Sequence, residues 1–212
     1  ILLKTFSKGD HSAVLDDYTC EAPCWRGISP GMNEQEALAH VNAMTDIRKD
    51  SLKSGFTLRE YWDRYIWWGF VDLGEDYGEI FFHDNQEIFI GFSYIEKHLP
   101  LMRFVEKFGE PTIIVIEKGI LDGVMLEAHL IYPDDGICLE VDTQYTIGNP
   151  NTYAITQLTF VRDIFFYDPN LELSNIGIQC LNDYDPSMIQ PWKGYGYYPV
   201  TCLNNDSRLC NW

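Results

Sequence analysis

The side chains in this sequence best able to do chemistry are its acids, which form three local groups: Glu75, Asp76 and Glu79; Asp134 and Asp135; Asp183 and Asp185. Two carboxylates beside aromatic residues are the apparatus of glycoside hydrolysis, in which one protonates the leaving oxygen and the other acts as nucleophile or base. All three groups, however, adjoin glycine or proline, where Asp serves turns by hydrogen-bonding the backbone. With 32 acidic residues in the chain such neighbours also arise by chance. The expectation is solvated turns, with cation binding second and catalysis last; none of the groups has the spacing of an EF-hand loop. His11, His40, His83, His98 and His129 are scattered without H-x-H or H-x-x-x-H spacing. His83 and His129 fall on expected strands and could meet across a sheet. No serine occupies a G-x-S-x-G elbow and no glycine-rich loop reads as a phosphate cradle. No catalytic residue, metal site or cofactor is assigned.

Cys20, Cys24, Cys138, Cys180, Cys202 and Cys210 are even in number and contain no C-x-x-C pair, so redox, haem and zinc spacings are missing. All six are expected in disulfides, which places the chain in an oxidising compartment. Connectivity stays open: Cys20 and Cys24 could pair around Pro23 or reach Cys138 or Cys180. Cys202 with Cys210 would close a loop worth roughly 2–3 kcal/mol in chain entropy. That loop also holds the sequon Asn205-Asp206-Ser207.

The aromatic residues are the most unusual local feature. Trp62, Trp67 and Trp68 lie within seven residues, and Trp192, Tyr195, Tyr197 and Tyr198 form a second group. Trp and Tyr dominate binding hot spots and also stack on sugar rings. The competing reading is a core filled with large side chains. A strand sends Trp67 and Trp68 to opposite faces, so one of them is expected inside. The candidate interface set is Trp62, Trp67, Trp68, Trp192, Tyr195 and Tyr197.

The elements that must carry these residues sit in a chain of 212 residues, 46% apolar, which can bury a substantial core and should fold. Its formal charge of −17, with no compensating basic stripe, argues against a nucleic-acid partner and serves solubility. The longest apolar runs, such as Thr112–Ile116, are strand-sized, so no transmembrane segment is expected. The chain begins Ile1-Leu2-Leu3-Lys4 without an initiator Met, and the expectation is that a signal peptide or membrane anchor could have preceded it.

Residues 1–19 read as an extended lead-in. A rigid loop from Cys20 to Met32 then delivers the chain to a helix over Glu34–Thr45, with Asn33 and Glu36 in capping-box spacing. Residues 46–60 are mixed and polar and suggest a second short helix. Strands follow at Tyr65–Leu73, Glu79–His83 and Glu87–Ile95, a three-stranded meander turning at Asp84-Asn85. A helix opens at Pro100, buries Leu101, Phe104, Val105 and Phe108, and stops at Gly109-Glu110-Pro111. Strands at Thr112–Glu117, Val124–Tyr132, Gly136–Asp142 and Ala154–Val161 complete the pattern, with a turn at Pro133–Gly136. From about Phe166 the composition shifts to an irregular stretch that carries three of the cysteines.

Two segments bear a resemblance. Gly27-Ile-Ser-Pro-Gly-Met-Asn-Glu-Gln-Glu36 and the helix stop Phe108-Gly-Glu-Pro111 resemble the small outer-membrane assembly lipoproteins of the SmpA/OmlA (BamE-like) type. The tandem arrangement is similar to the β-lactamase inhibitor protein fold, and Cys20-x3-Cys24-Trp25 looks like the start of uncharacterised bacterial exported proteins and lipoproteins. The resemblance implies helices on one face of an antiparallel sheet and a role in binding proteins. The sequence-based expectation is therefore an α+β fold: two helix-plus-antiparallel-sheet units at residues 20–97 and 98–165, then an irregular, disulfide-rich tail at 166–212. The functional expectation is a non-enzymatic accessory or structural subunit of an envelope or extracellular assembly, in the periplasm or at the cell surface. Its partners would be other envelope or extracellular proteins or a second copy of the chain. A glycan is the alternative ligand.

Overall fold

The computed structural model describes residues 20–57, 63–71, 76–84, 86–93, 99–120, 124–141, 152–170 and 188–199. Helix α1 spans Glu34–Ala43. It begins where Asn33 accepts a hydrogen bond from the Glu36 N–H at 3.0 Å and donates its own N–H to the Glu36 carboxylate at 3.1 Å, so two end groups are satisfied reciprocally. Ala37 and Val41 make its fully buried face. Helix α2, Leu101–Phe108, buries Leu101 and Phe104 and ends at Gly109, whose φ of 82° favours a residue without a Cβ.

The strands are β1 (Ile47–Phe56), β2 (Arg64–Phe70), β3 (Tyr77–His83), β4 (Gln86–Ser93), β5 (Leu99–Pro100), β6 (Ile113–Ile120), β7 (Val124–Tyr132), β8 (Ile137–Val141), β9 (Thr152–Ile155), β10 (Phe160–Tyr167), β11 (Ile189–Pro191) and β12 (Gly196–Pro199). Ten of them form one sheet in the order β1-β2-β3-β4-β10-β8-β7-β6-β11, with β5 added beside β10; β9 and β12 make a separate antiparallel pair. Each ladder is antiparallel.

Alternation sends Ile66, Trp68 and Phe70 of β2, Ile80 and Phe82 of β3, Phe92 of β4 and Ile164 and Phe166 of β10 into one core. The helices and the loop before α1 supply the other half. Trp25 enters from that loop, where it and Ile28 exchange backbone hydrogen bonds at 2.8 Å, and its ring lies 4.4 Å from Phe92 and stacks 6.1 Å from Trp68. Both tryptophans are fully buried. Gly78 sits opposite Trp68 on β3 because a Cβ there would come within 2.3 Å of the indole.

The expected α+β pairing of helix-plus-sheet units is overturned. Among the described residues two helices of ten and eight residues lie beside a predominantly antiparallel sheet. The reason is the β4–β10 ladder, five residue pairs from Asp163–Ser93 to Tyr167–Phe89, which fuses the two meanders edge to edge. The second short helix expected within residues 46–60 is strand β1, an edge strand whose register shifts between Arg48 and Lys53. That irregularity breaks the two-residue alternation by which a strand is recognised, and bulges and lysines are what keep such an edge from pairing with other chains. The expected strand Ala154–Val161 is two strands of different sheets, separated by a turn at Thr156–Thr159. Nor is the end of the chain simply irregular: β10 runs to Tyr167 through the middle of the sheet, β11 caps β6, and β12 pairs β9.

Cys20 and Cys24 form a disulfide. Cys138, fully buried on β8, is also disulfide-bonded; Cys180, Cys202, Cys210 and the Asn205 sequon lie outside the described residues. No helix among the described residues is long and apolar enough to cross a membrane. These facts are compatible with an extracytoplasmic location.

Candidate functional site

The second aromatic group is assembled around β12. In Gly196-Tyr-Tyr-Pro199 the pleat turns Tyr198 inward, 2% exposed, and Tyr197 outward, 72% exposed. Tyr198 stacks on Trp192 with ring centroids 5.7 Å apart, and its hydroxyl accepts from the Lys193 N–H at 2.8 Å and donates to the Gly194 carbonyl at 2.7 Å. The Trp192 N–H donates to the Thr112 carbonyl at 3.0 Å and its indole Nε1 donates to the Glu110 carboxylate. Tyr195 meets Trp192 edge-on at 5.9 Å. The turn is therefore tied both to β6 and to the end of α2.

The facing wall comes from β9 and the turn after it. Tyr153 and Ile155 are buried, leaving Thr152 and Ala154 partly exposed. Thr159 Oγ1 accepts from the Thr156 N–H at 2.8 Å, and Thr156 Oγ1 accepts from the Leu158 N–H at 3.2 Å. Leu158 is thus held at the tip, 68% exposed. Helix α2 docks on the same turn, with the Leu101 and Met102 N–H groups donating to the carbonyls of Thr159 and Gln157 at 2.7 and 3.1 Å. These are donors that the helix cannot satisfy internally.

Between the walls lies an open cavity of about 550 Å³, lined by Ala154–Leu158 and Tyr195–Tyr197. It is within the size range of small-ligand or side-chain pockets. Helix α2, which docks on the Thr156–Thr159 turn, carries the exposed Glu106, and the exposed Glu110 beyond its end accepts from the Trp192 indole. Burial raises the Tyr195 hydroxyl above the ordinary tyrosine range, and both carboxylates push it further; burial and Glu110 do the same to Tyr198. The hydroxyls of Tyr195 and Tyr198 remain neutral, and the groove combines aromatic residues and an aliphatic tip.

The first aromatic group does not assemble in this way. Trp62 lies outside the described residues. Trp68 is core, as alternation requires for one of the pair, while Trp67 is half-buried on the opposite face against Tyr77, with the Lys53 ammonium 5.5 Å from its ring centre. Of the named interface residues, Trp192, Tyr195 and Tyr197 come together. Leu158, Gln157 and Glu106 were missed by sequence reasoning, since only the β9–β12 pairing and the docking of α2 bring them there.

The acids follow two patterns. Asp134 and Asp135 are exposed in the β7–β8 turn, whereas Asp76 is fully buried; Glu75, Asp183 and Asp185 lie outside the described residues. A different polar cluster crosses the face of the sheet turned away from the helices, through the ladder pairs His129–Glu140 and Glu140–Asp163. A bulge between Val161 and Asp163 brings Arg162 to both acids: it pairs with Glu140 and reaches Asp163 Oδ2 at 3.0 Å. One guanidinium balancing two carboxylates is an arrangement for burying charge, since removing either sign would leave the other uncompensated. Burial, and then the positive charge of Arg162, lower the His129 imidazole to about 3. It does not meet His83, which is largely exposed on β3 with β4, β10 and β8 between them. No group of three potential metal ligands occurs among the described residues. No family model, no curated protein and no solved structure matches this chain.

Proposed function

We propose that this is a non-enzymatic exported interaction protein, an accessory or structural subunit of a cell-envelope or extracellular assembly, and that it engages its partner through the groove of Tyr195, Tyr197 and Leu158. The observation that carries this reading is the outward presentation of Tyr197 and Leu158 on a scaffold held by hydrogen bonds and a stacked Trp–Tyr pair. Rigid aromatic anchors lose little entropy on binding and contribute most of the energy of an interface. The disulfides support export, because such bonds persist outside the reducing cytoplasm.

The test is a photo-crosslinking phenylalanine analogue introduced in place of Tyr197 in the producing organism. A discrete protein adduct is expected at this position, absent when Leu158→Ser is combined with it and absent when the analogue replaces the equally exposed Phe56. Labelling at position 197 no stronger than at position 56 would overturn the proposal. One observation favours a second reading: two tyrosines beside Gln157 are also a sugar-stacking arrangement. Binding on a glycan array that disappears with Tyr197→Ala, without a protein adduct, would transfer the groove to that reading.

A further inference from the structure

The groove has a chemical selectivity that can be read from how this chain treats its own cations. Arg26 lies 4.9 Å from the Trp25 ring centre while its Nη1 donates to both Asp46 oxygens at 2.8 and 2.9 Å. Arg64 lies 4.6 Å from the Phe56 ring centre while its Nη2 donates to Glu34 Oε1 at 2.9 Å. In both cases an aromatic face receives the flat cation and a carboxylate from another element fixes its direction. The ring quadrupole attracts the positive charge, and the carboxylate compensates the partial loss of water.

The groove offers the aromatic component in its walls and has the acidic one close by. Its walls are the residues Tyr195, Tyr197 and the aliphatic tip Leu158, while Glu110 is bonded to Trp192, against which Tyr195 packs, and Glu106 lies on α2, whose first turn is anchored to the Gln157–Thr159 turn. Among the described residues no Lys or Arg side chain lies over Tyr195 or Tyr197. Glu110 already accepts from Trp192, which leaves the exposed Glu106 as the freer anion. The cavity of about 550 Å³ suits one or two side chains, not a folded surface. A net charge of −17 adds a long-range bias towards positively charged partners.

We infer that the groove takes a segment of the partner protein bearing a lysine or arginine beside an apolar residue: the apolar side chain packs on Leu158, the cationic stem crosses Tyr197, and its head reaches Glu106. This rests on the interaction reading above and specifies what that partner displays. A long basic side chain is suited to it because its methylenes cover apolar surface while its charge stays at the wet rim.

The experiment is selection of phage-displayed peptides of about ten residues on the full chain, with removal of those that also bind Tyr197→Ser, followed by fluorescence-polarisation titration of the enriched sequences. Enrichment of Lys or Arg next to an apolar residue is expected. Citrulline in place of Arg, or norleucine in place of Lys, should weaken binding, and Glu106→Gln should weaken it by roughly two- to fivefold, the range for an exposed ion pair. Added salt should erase most of that difference. Near-ultraviolet circular dichroism identical to wild type confirms that Glu106→Gln is folded. Tyr197-dependent peptides without positive charge, indifferent to Glu106→Gln, would remove this inference and leave the interaction reading standing. If no peptide depends on Tyr197 the inference also falls, and the crosslinking result alone then decides the broader reading.

Discussion

His129 offers the most quantitative test of the sheet's second face. It is 1% exposed on β7, opposite Glu140 and within the field of Arg162, and its imidazole is lowered from 6.5 to about 3. In the unfolded chain it regains the ordinary value, so between about pH 6.5 and about pH 3 the unfolded state binds one more proton than the native state. Stability from this residue is complete above the unfolded value and is lost as the pH falls through that window. Each unit is worth about 1.4 kcal/mol, so at about pH 4.5 the native state should have lost roughly 2.7 kcal/mol through His129 alone. The assay is urea unfolding of wild type and His129→Gln at about pH 7.5, 6, 5 and 4.5, reading the difference between the two proteins. The carboxylates elsewhere titrate in both and cancel. The difference should be constant above about pH 6.5 and then tilt in favour of the variant by roughly 1.4 kcal/mol per unit. A difference that stays flat down to about pH 4.5 would show that His129 is not held neutral by burial.

Three further outcomes test the packing. Gly78→Ala should cost about 1–3 kcal/mol in urea unfolding and perturb tryptophan fluorescence, because its methyl would stand 2.3 Å from the Trp68 ring, whereas Gly196→Ala, with nothing within 4 Å, should stay within about 0.5 kcal/mol. Replacing Cys20 and Cys24 together by serine should cost about 2 kcal/mol, the loop entropy of so short a bridge, and should weaken the near-ultraviolet signal of the Trp25–Trp68 stack; an unchanged midpoint would detach the bridge from the core. Asn33→Ala should lower stability by about 1 kcal/mol by removing the capping box, as measured by thermal or urea unfolding.

Features encoded by a few neighbouring residues were legible. Asn33 and Glu36 announced the start of α1, Gly109 the stop of α2, and Pro133–Gly136 the β7–β8 turn, because caps and turns are satisfied within one stretch of chain. Features requiring a distant partner were not. Strand β1 is polar and irregular because it is an edge, and only its ladder with β2 reveals it. The β4–β10 ladder, which turns the expected pair of units into one sheet, leaves no local trace. The site divides in the same way: Trp192, Tyr195, Tyr197 and Tyr198 stand out as a cluster in the sequence, but the opposing wall at Leu158 was hidden inside what read as one strand, and Glu106 and Glu110 belong to a helix and its stop whose docking on that wall has no local signature.

The β4–β10 ladder also sets the order in which the chain can mature. Phe92 and Ile164 are partners about 70 residues apart, so during synthesis the β1–β4 meander is complete while the strand that will close its edge is still unmade. For that interval β4 is an open template at the growing end of a nascent chain, and its closure must await β6, β7 and β8 before β10 can fill the gap between β4 and β8. Ladders of such sequence separation are slow to form. Until the whole length is available, that open edge is the part of the chain most exposed to pairing with other chains.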